Sequence, residues 1–457
     1  MRTIIRGQFL GNDRMRPLNF IIIGIDTLRA DHLSCYGYVR KTSPNIDKLA
    51  KESVVFTNAF ANGIPTHPAW TTILTGAHPL RHRIVTHMGE VQLSTSVFMI
   101  QEVLKERGYV TAAVDNMFLK YGAFYKWFTR GFFIYSHPGG VPAPEAGLKV
   151  QAEDVTKMTL EVLREVSEKN KPFFLFIHYW DPHSPYKPPP PFNRSFWKME
   201  PPEDTSMLDY AISQYDGEIA YVDSKVGDLI EYLENSGLLD KTVIILTSDH
   251  GESLMQHDNY MGHKGLYDSI TKVPLIIRFP EGEPRGTITE LIQHIDIAPT
   301  IYDLAGVDPP KTVDGRSLMN VIEGGKGVEE VLMVENTQQK AMGLRTRNWK
   351  FIIYLEKTPE GLPAGYVRLY DLSKDEGEQI NLAPHEVEVV ESLKKRLDEL
   401  TNRILEGRTN PLLEQAATMR KIKFYSEAKT LIELYGLILR ERKAEAEGEK
   451  EGEEVAE

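Results

Sequence analysis

The chain has 457 residues, of which 41% are hydrophobic and 26% are charged, and its formal net charge is −12. This composition is typical of a water-soluble globular protein that is long enough to bury a large core. The negative charge argues against a general nucleic-acid-binding protein, because contacts with phosphate groups need clustered lysine and arginine. An anionic substrate stays compatible with it, since a bound metal ion can reverse the local field. Cys35 is the single cysteine, which excludes an intrachain disulfide and a cysteine-based zinc site.

The early part of the chain has no transmembrane pattern. Its longest apolar run, residues 20–25, is far too short to span a bilayer. Charged residues and Pro17 precede this run, instead of the apolar stretch of a signal peptide. We therefore expect a cytoplasmic protein without a transmembrane segment.

Up to residue 329, short apolar strands alternate with amphipathic helices. A polar arm is predicted for residues 1–18, and a first strand at 19–25 ends at Asp26. Further helices are predicted at residues 43–53, 96–109, 152–170, 207–237 and 296–307, and further strands begin at residues 54, 110, 172, 242 and 273. This alternation predicts an α/β fold in which helices cover both faces of a large, mostly parallel sheet. Residues 122–146 are aromatic and rich in proline and glycine, so we expect an irregular loop on the substrate side.

The pattern changes near residue 330. Shorter strands separated by turns predict a smaller C-terminal subdomain with an antiparallel sheet at 330–410, after a catalytic domain at 19–329. Residues 411–443 are predicted to form a helix whose apolar side chains recur at helical spacing, for core packing or for self-association into a homo-oligomer. Residues 444–457 are rich in glutamate and poor in apolar side chains, which predicts a disordered acidic tail.

Three predicted strands lead into residues that can bind a metal ion or act as a nucleophile. Asp26 follows the first strand, Asp249 and His250 follow the strand that begins at 242, and Thr66 lies in a proline-flanked turn before a short helix. Open α/β sheets bind ligands at the carboxyl ends of their strands. This donor set suits one divalent cation: the imidazole favours Mn²⁺ or Zn²⁺, and the oxygen atoms also suit Mg²⁺ or Ca²⁺. Thr66 alone would usually be a helix cap, but beside a metal ion it becomes a candidate nucleophile.

Several segments carry a resemblance to a known family. They are IDTLRADHLSCYGY, TSPNIDKLA, PTHPAWTTILTGAHP, HYWDPHSPY, YDGEIAYVD, SDHGES, GHKGLYDSITKVPLII, RTRNWKFI and LYDLSKDEGEQINLA. In this order they resemble the sulfatase family, within the alkaline phosphatase superfamily, over most of residues 19–385. The resemblance implies an alkaline phosphatase/sulfatase-like α/β fold, a divalent metal ion and a small anionic ester as substrate.

Matched residue by residue, the resemblance also implies roles for individual side chains. Asp26, Asp249 and His250 would be metal ligands. Thr66 would occupy the position of the nucleophile, which also contacts the metal ion. His183 matches a histidine that contacts the substrate anion or protonates the leaving group.

Two features of the resemblance leave alternatives open. Near Tyr267 the family supplies a lysine or a histidine to the transferring group, and Lys264 fits by residue type whereas His263 fits better by spacing. Relatives with two metal ions use an aspartate followed four residues later by a histidine. Asp181 and His183 lack that spacing, so one ion is favoured. The residues that could still form a second site are Asp181, His183, His257 and His263.

The chain departs from the family pattern at the nucleophile itself. A sulfatase usually has a cysteine or serine there, which is oxidised to formylglycine, with proline two residues later and arginine two beyond that. Thr66, Pro68 and Trp70 occupy these positions, so formylglycine is not expected. The paired acids of the family appear as Asp26 and Thr27. The lysine and histidine that the family has after the next strand are not matched in DNMFLKYG, where Asn116 is the nearby polar candidate.

The threonine favours phosphorus over sulfur as the reacting atom. A formylglycine hydrate can release sulfate by using its second hydroxyl, whereas a sulfated Thr66 would have no such exit. Water or an alcohol can attack a phosphorylated Thr66 in line, as in related threonine-dependent phosphodiesterases and transferases. We therefore predict a hydrolase of phosphate mono- or diesters or of phosphonate esters. The alternatives are a sulfuric ester hydrolase that uses unmodified threonine and a phosphoryl-group transferase with an alcohol acceptor.

Overall fold

The computed structural model describes residues 17–87, 91–115, 117, 126–138, 150–197, 207–257 and 262–416. Almost all of the predicted arm at 1–18, the acidic tail at 444–457 and the predicted helix beyond residue 416 lie outside the described residues. The strands are β1 (Asn19–Ile25), β2 (Val54–Phe60), β3 (Gly63–Ile64), β4 (Val110–Val114), β5 (Ile134–Ser136), β6 (Phe173–Tyr179), β7 (Thr242–Thr247), β8 (Lys272–Arg278), β9 (Gly286–Ile288), β10 (Ile292–Gln293), β11 (Glu330–Asn336), β12 (Lys340–Thr346), β13 (Trp349–Tyr354) and β14 (Val367–Asp371). The α-helices are α1 (Pro44–Lys51), α2 (Thr66–Thr75), α3 (Pro79–His82), α4 (Ile100–Glu106), α5 (Ala152–Glu168), α6 (Met207–Asn235), α7 (Asp268–Thr271), α8 (Ile297–Leu304), α9 (Met319–Ile322), α10 (Val387–Leu405) and α11 (Pro411–Glu414).

The large sheet has the strand order β10-β2-β8-β7-β1-β6-β4-β5, and β9 also pairs with β2. Its pairs are parallel except for those that β8 makes with β2 and β7. The prediction of a large, mostly parallel sheet is therefore confirmed. Every residue of β1, β6 and β7 is buried, as expected for central strands that are covered on both faces.

Helices cover both faces of this sheet, also as predicted. On one face, Phe20 and Ile22 of β1 share a hydrophobic core with α2, α4 and α8. On the other face, Ile21 and Ile23 of β1 share a core with α1, α5 and α6. Alternate side chains of one strand thus enter opposite cores, which follows from the two-residue period of an extended chain.

The second sheet has the order β14-β13-β12-β11-β3 and is antiparallel except at one edge. There, β11 pairs in parallel with β3, a two-residue strand that lies directly before the turn carrying Thr66. Helix α10 packs its apolar face on this sheet through Leu397 and Leu400. The predicted C-terminal antiparallel sheet is confirmed, and its edge reaches the segment that carries the candidate nucleophile.

The prediction of an irregular loop at 122–146 was wrong for one short stretch. Ile134–Ser136 forms β5, which pairs in parallel with β4 at the edge of the large sheet. The flanking glycine and proline residues hid a three-residue strand whose backbone groups are satisfied by β4. Phe124 of the same segment lies outside the described residues. Within the described part of the chain, no helix is long and apolar enough to cross a membrane.

A buried ion-pair network joins the second sheet to the segment that precedes α7. Lys350 of β13 is fully buried, and its Nζ lies 2.6 Å from Asp268 Oδ1 and 3.5 Å from Glu378 Oε1. The same Nζ donates to the backbone carbonyl of Leu266 over 2.7 Å. Arg345 of β12 also contacts Asp268, over 3.1 Å. The network holds residues 266–268 against the C-terminal sheet.

Replacing Lys350 by methionine should destabilise the fold by about 3 kcal/mol or more, because Asp268 and Glu378 would stay buried with less positive charge around them. Urea unfolding of the full chain measures this loss. Lys374→Met is the matched control, since Lys374 is exposed and pairs with Asp371 at the surface. A loss in Lys350→Met no larger than in the control would contradict the importance of this network.

Candidate active site

The site lies where four neighbouring parallel strands end. In the order β4, β6, β1 and β7, adjacent strands pair in parallel, so their carboxyl ends meet at one edge of the sheet. Asp115 follows β4, His178 is the penultimate residue of β6, Asp26 follows β1, and Asp249 lies two residues after β7. The side chains of all four residues are buried.

Asp26, Asp249 and His250 form a compact cluster of potential metal ligands. One ligand atom of each residue lies within 4.8 Å of a ligand atom of the other two. Among the described residues, these three form the cluster of histidine and acidic side chains that could hold a metal ion. Asp249 Oδ1 accepts the backbone N–H groups of Thr27 and His250, over 3.0 and 2.9 Å. His250 Nδ1 donates to the carbonyl of Gly251 over 2.8 Å. Its other ring nitrogen, Nε2, lies 3.2 Å from Asp249 Oδ2.

The polar atoms of this cluster fit a divalent cation. Both oxygens of Asp26 and Oδ2 of Asp249 are buried without a hydrogen-bond partner among the described residues. Burial, and next the charge of Asp249, raise the pKa of Asp26 to about 6. Two adjacent buried carboxylates with unsatisfied oxygens are costly unless a cation joins them. The cluster is thus suited to a metal ion by its own chemistry.

Thr27 adds a further buried oxygen beside this cluster. Its hydroxyl has no hydrogen-bond partner among the described residues, and its φ of 55° is unusual for a β-branched residue. The bonds of its backbone explain how the conformation is held: the N–H donates to Asp249 and the carbonyl accepts the hydroxyl of Tyr215 over 2.7 Å. Strained backbone of this kind is concentrated at functional sites.

Thr66 is the first residue of α2 and faces the ligand cluster. Its Oγ1 lies 3.3 Å from His250 Nε2, and the residue is 2% exposed. Position 65, not 66, is the cap of α2, and no side chain makes a cap hydrogen bond there. The Thr66 hydroxyl is therefore turned toward the candidate metal centre and not toward the helix backbone.

His183 and His263 lie beside the ligand cluster, and Lys264 is held elsewhere. The His263 ring centroid is 4.5 Å from that of His250 and 5.8 Å from that of His183. His183 Nδ1 donates to the Ser184 carbonyl over 2.7 Å, so the other ring nitrogen of His183 points away from that carbonyl. Lys264 Nζ forms an ion pair with Glu360. By these contacts, His263 is better placed than Lys264 for a substrate.

The other candidates for a second metal site have structural contacts. Asp181 Oδ2 accepts the N–H of Ala152, the first residue of α5, over 2.8 Å. The His257 ring stacks on Tyr267 with centroids 3.7 Å apart. The first contact fixes the start of α5, and the second fixes the loop that contains His257.

Asp115 and His178 belong to the site but were not singled out in the sequence. His178 Nδ1 lies 2.8 Å from Asp115 Oδ1, and its Nε2 lies 3.4 Å from Asp26 Oδ2. Burial lowers the pKa of His178, but Asp115 and Asp26 outweigh that effect and raise it to about 10. For Asp115, burial raises the pKa and the hydrogen bond from His178 outweighs it, so the pKa is lowered. The sequence feature that could have drawn attention to His178 is a histidine within the apolar run FFLFIHYW.

Comparison with known proteins places this site in a family. The family model described as Sulfatase matches residues 18–307, and the model described as N-sulphoglucosamine sulphohydrolase, C-terminal, matches residues 257–403. Iduronate 2-sulfatase of Mus musculus is 25% identical over 425 residues, covering 72% of this chain and 76% of that protein. The multifunctional alkaline phosphatase superfamily protein PehA of Trinickia caryophylli is 25% identical over 407 residues, covering 68% and 78%.

Solved structures show the same fold. A phosphonate monoester hydrolase of Agrobacterium radiobacter matches with a TM-score of 0.71 at 23% identity, over 85% of this chain and 96% of that one. A protein solved with D-glucosamine-2-N,6-O-disulfate, its substrate, matches with a TM-score of 0.73 at 21% identity, over 87% and 99%. The chain belongs to the sulfatase family, and it is an ester hydrolase of the alkaline phosphatase/sulfatase superfamily.

Proposed function

We propose that this protein is a metal-dependent hydrolase of phosphate mono- or diesters or of phosphonate esters, with Thr66 as its nucleophile. The observation that carries the proposal is the position of the Thr66 hydroxyl, 3.3 Å from Nε2 of His250 in the ligand cluster. Among the relatives, a phosphonate monoester hydrolase and a multifunctional superfamily protein are compatible with phosphoryl chemistry.

The proposed metal ligands are Asp26, Asp249, His250 and the Thr66 hydroxyl. A bound Mn²⁺, Zn²⁺, Mg²⁺ or Ca²⁺ ion would polarise the ester oxygens and lower the pKa of that hydroxyl. The donor set contains one nitrogen, which favours Mn²⁺ or Zn²⁺ over the harder ions. The two carboxylates supply the negative charge that balances a divalent cation in a buried site.

Turnover takes two displacements at phosphorus. Thr66 Oγ loses its proton and forms a bond to phosphorus while the bond to the ester oxygen breaks, and the leaving alcohol takes up a proton. Water then attacks phosphorus, the bond to Thr66 breaks and Thr66 Oγ regains a proton from that water, so that phosphate, a phosphate monoester (from a diester) or phosphonate leaves. His183 and His263 are proposed to supply the proton and to contact the substrate anion, because the His263 ring adjoins His250 and the His183 ring adjoins His263.

A sulfuric ester hydrolase is the second candidate, because sulfatases are numerous among the relatives of this chain. Thr66 opposes it on chemical grounds. A sulfate ester of threonine would have to be cleaved by water without the second hydroxyl that formylglycine provides. Transfer of the phosphoryl group to an alcohol is the remaining candidate, and it would share the first displacement with the hydrolase.

Thr66→Ala should lower kcat/KM by about 10³-fold or more, because the group that forms the covalent bond is lost. Thr66→Ser, which keeps a hydroxyl, should retain a measurable part of the activity. The assay compares aryl phosphate, bis-aryl phosphate, aryl phosphonate and aryl sulfate esters, each with several divalent ions. A quenched reaction with phosphate ester should leave phosphate on the wild-type protein and none on Thr66→Ala.

Turnover of aryl sulfate far above that of the phosphorus esters would overturn the proposed substrate class. Full activity of Thr66→Ala would remove Thr66 from the mechanism. Faster release of the aryl alcohol on adding glycerol or ethanolamine, with a phosphorylated alcohol as product, would instead identify a transferase.

His263→Asn should lower kcat/KM by roughly 10²-fold or more, as expected for loss of a group that donates a proton or contacts the anion. Lys264→Met should leave it unchanged, because Lys264 Nζ is engaged by Glu360. The two variants are neighbours in the chain and control for each other. The reverse result would assign the substrate contact to Lys264.

Metal affinity should depend on pH through Asp26. The pKa of Asp26 is 3.8 in the unfolded chain and about 6 in the folded protein. Ionising Asp26 therefore destabilises the metal-free protein as the pH rises between these two pKa values. Binding of Mn²⁺ needs the carboxylate, so protons compete and Kd should rise by roughly tenfold per pH unit below about 6. Titration with Mn²⁺ at several pH values tests this. A Kd independent of pH from 5 to 7 would contradict the prediction.

A further inference from the structure

A row of buried polar side chains crosses the large sheet behind the candidate metal centre. It runs from Asp115 after β4, through His178 of β6, to Asp26 after β1. Strands β4 and β6 are neighbours, as are β6 and β1, so each side chain reaches the next across one strand spacing. All three residues are 0% exposed.

The two ring nitrogens of His178 face two carboxylates. Nδ1 makes a short hydrogen bond of 2.8 Å with Asp115, and Nε2 lies 3.4 Å from Oδ2 of Asp26. The Nδ1 N–H donates to the Asp115 carboxylate, whereas Nε2 makes a longer ion-pair contact with Asp26 that is not a hydrogen bond. His178 does not belong to the group of mutually close ligand atoms among the described residues. It therefore stands one layer behind the proposed metal ion.

The position of His178 is tightly fixed. Asp115 itself accepts the hydroxyl of Tyr135 and the backbone N–H of Met117, the latter over 3.1 Å. The Trp70 ring lies edge-on against His178 with centroids 5.2 Å apart. Gly24, which faces His178 across the strand pair, makes room for this indole, because a Cβ at Gly24 would meet it at 2.4 Å. The hydrogen bond to Asp115 and the Trp70 ring thus hold the imidazole from two sides.

Asp26 needs such a support. Its carboxylate lies beside that of Asp249, and neither of its oxygens has a hydrogen bond from the described residues. Two like charges in a buried site repel each other, so a free Asp26 would rotate away from the position in which it binds a cation. Most metal-binding carboxylates are held by a second layer of hydrogen-bonding groups, and His178 is placed to supply it here.

We propose that His178 is a positioning residue that holds Asp26 for metal binding, and that Asp115 and Trp70 hold His178 in turn. The inference rests on the proposed metal centre. It also gives a physical use to Trp70, which stands where the resemblance predicts an arginine, and to Asp115, which begins the segment that lacks the expected lysine. The site would thus be supported from His178 of strand β6, against which Trp70 of helix α2 packs.

The test measures the Kd of the full chain for Mn²⁺, by the electron paramagnetic resonance signal of the free ion. In His178→Asn the amide can replace Nδ1 toward Asp115 but cannot reach Asp26, so Kd should rise by about 10- to 100-fold. In His178→Gln the longer amide can reach Asp26, so part of the affinity should be recovered. Asp115→Asn should weaken binding less than His178→Asn, and the double variant should bind no more weakly than His178→Asn alone.

His78→Asn is the matched control. His78 is also a buried histidine with both nitrogens engaged, by the N–H of Leu80 and the carbonyl of Leu332. Its loss should leave the Mn²⁺ Kd unchanged, and thermal unfolding of each variant in a chelator measures the general cost of losing a buried ring. If His178→Asn binds Mn²⁺ with the wild-type Kd, the proposal is overturned. It is also overturned if His78→Asn loses as much Mn²⁺ affinity as His178→Asn. If His178→Asn does not fold, His178→Gln and Asp115→Asn decide in the same way.

The outcomes separate this inference from the proposed function. If the wild type binds Mn²⁺ and Asp26→Asn does not, the metal centre stands, and an unchanged Kd in the His178 variants sinks the positioning role alone. If the wild type does not bind Mn²⁺ or another divalent ion, both proposals fall. A lower kcat with unchanged Kd in His178→Asn would also overturn the inference, because a residue that positions Asp26 acts through the metal ion.

Discussion

The constraint on which this site depends is the burial of two carboxylates side by side. Asp26 and Asp249 follow neighbouring parallel strands, so the sheet itself brings them together, in a place where water cannot separate their charges. Burial and the second carboxylate raise the pKa of Asp26 to about 6. This raised pKa reflects the free-energy cost of ionising Asp26 beside Asp249. A cation in front and His178 behind are the two means by which the structure can offset it.

The C-terminal sheet takes part in the site and does not merely cap the catalytic domain. Its edge strand β11 pairs with β3 and so fixes the turn from which Thr66 projects. Its strand β13 supplies Lys350, which binds residues 266–268 and thereby anchors the segment that carries His263. Both the candidate nucleophile and a candidate acid are therefore positioned across the boundary between the two sheets, which makes the subdomain necessary for the geometry.

Much of the fold and of the metal cluster was predictable from local patterns. Apolar runs such as those of β1 and β7 identify buried strands, and acidic residues directly after them identify the binding edge. Asp26 and Asp249 follow this rule and His250 adjoins Asp249, whereas Thr66 was identified by its proline-flanked turn and by the resemblance. His178 did not follow the rule, because a histidine inside a strand looks like a core residue until its neighbours are known. Residues 134–136 were missed because three residues show no reliable period.

The sequence by itself determined the family, the alternation of strands and helices and the identities of the candidate ligands, since these depend on residue type and spacing along the chain. Only the tertiary structure decided which side chains meet. The order β4-β6-β1-β7 is not the order of the chain, so the contact of Asp115 with His178 and of His178 with Asp26 could not be read from spacing. The ion pair of Lys264 with Glu360, a residue distant in the chain, likewise could not be read from spacing, and it is the contact that favours His263 in the proposal.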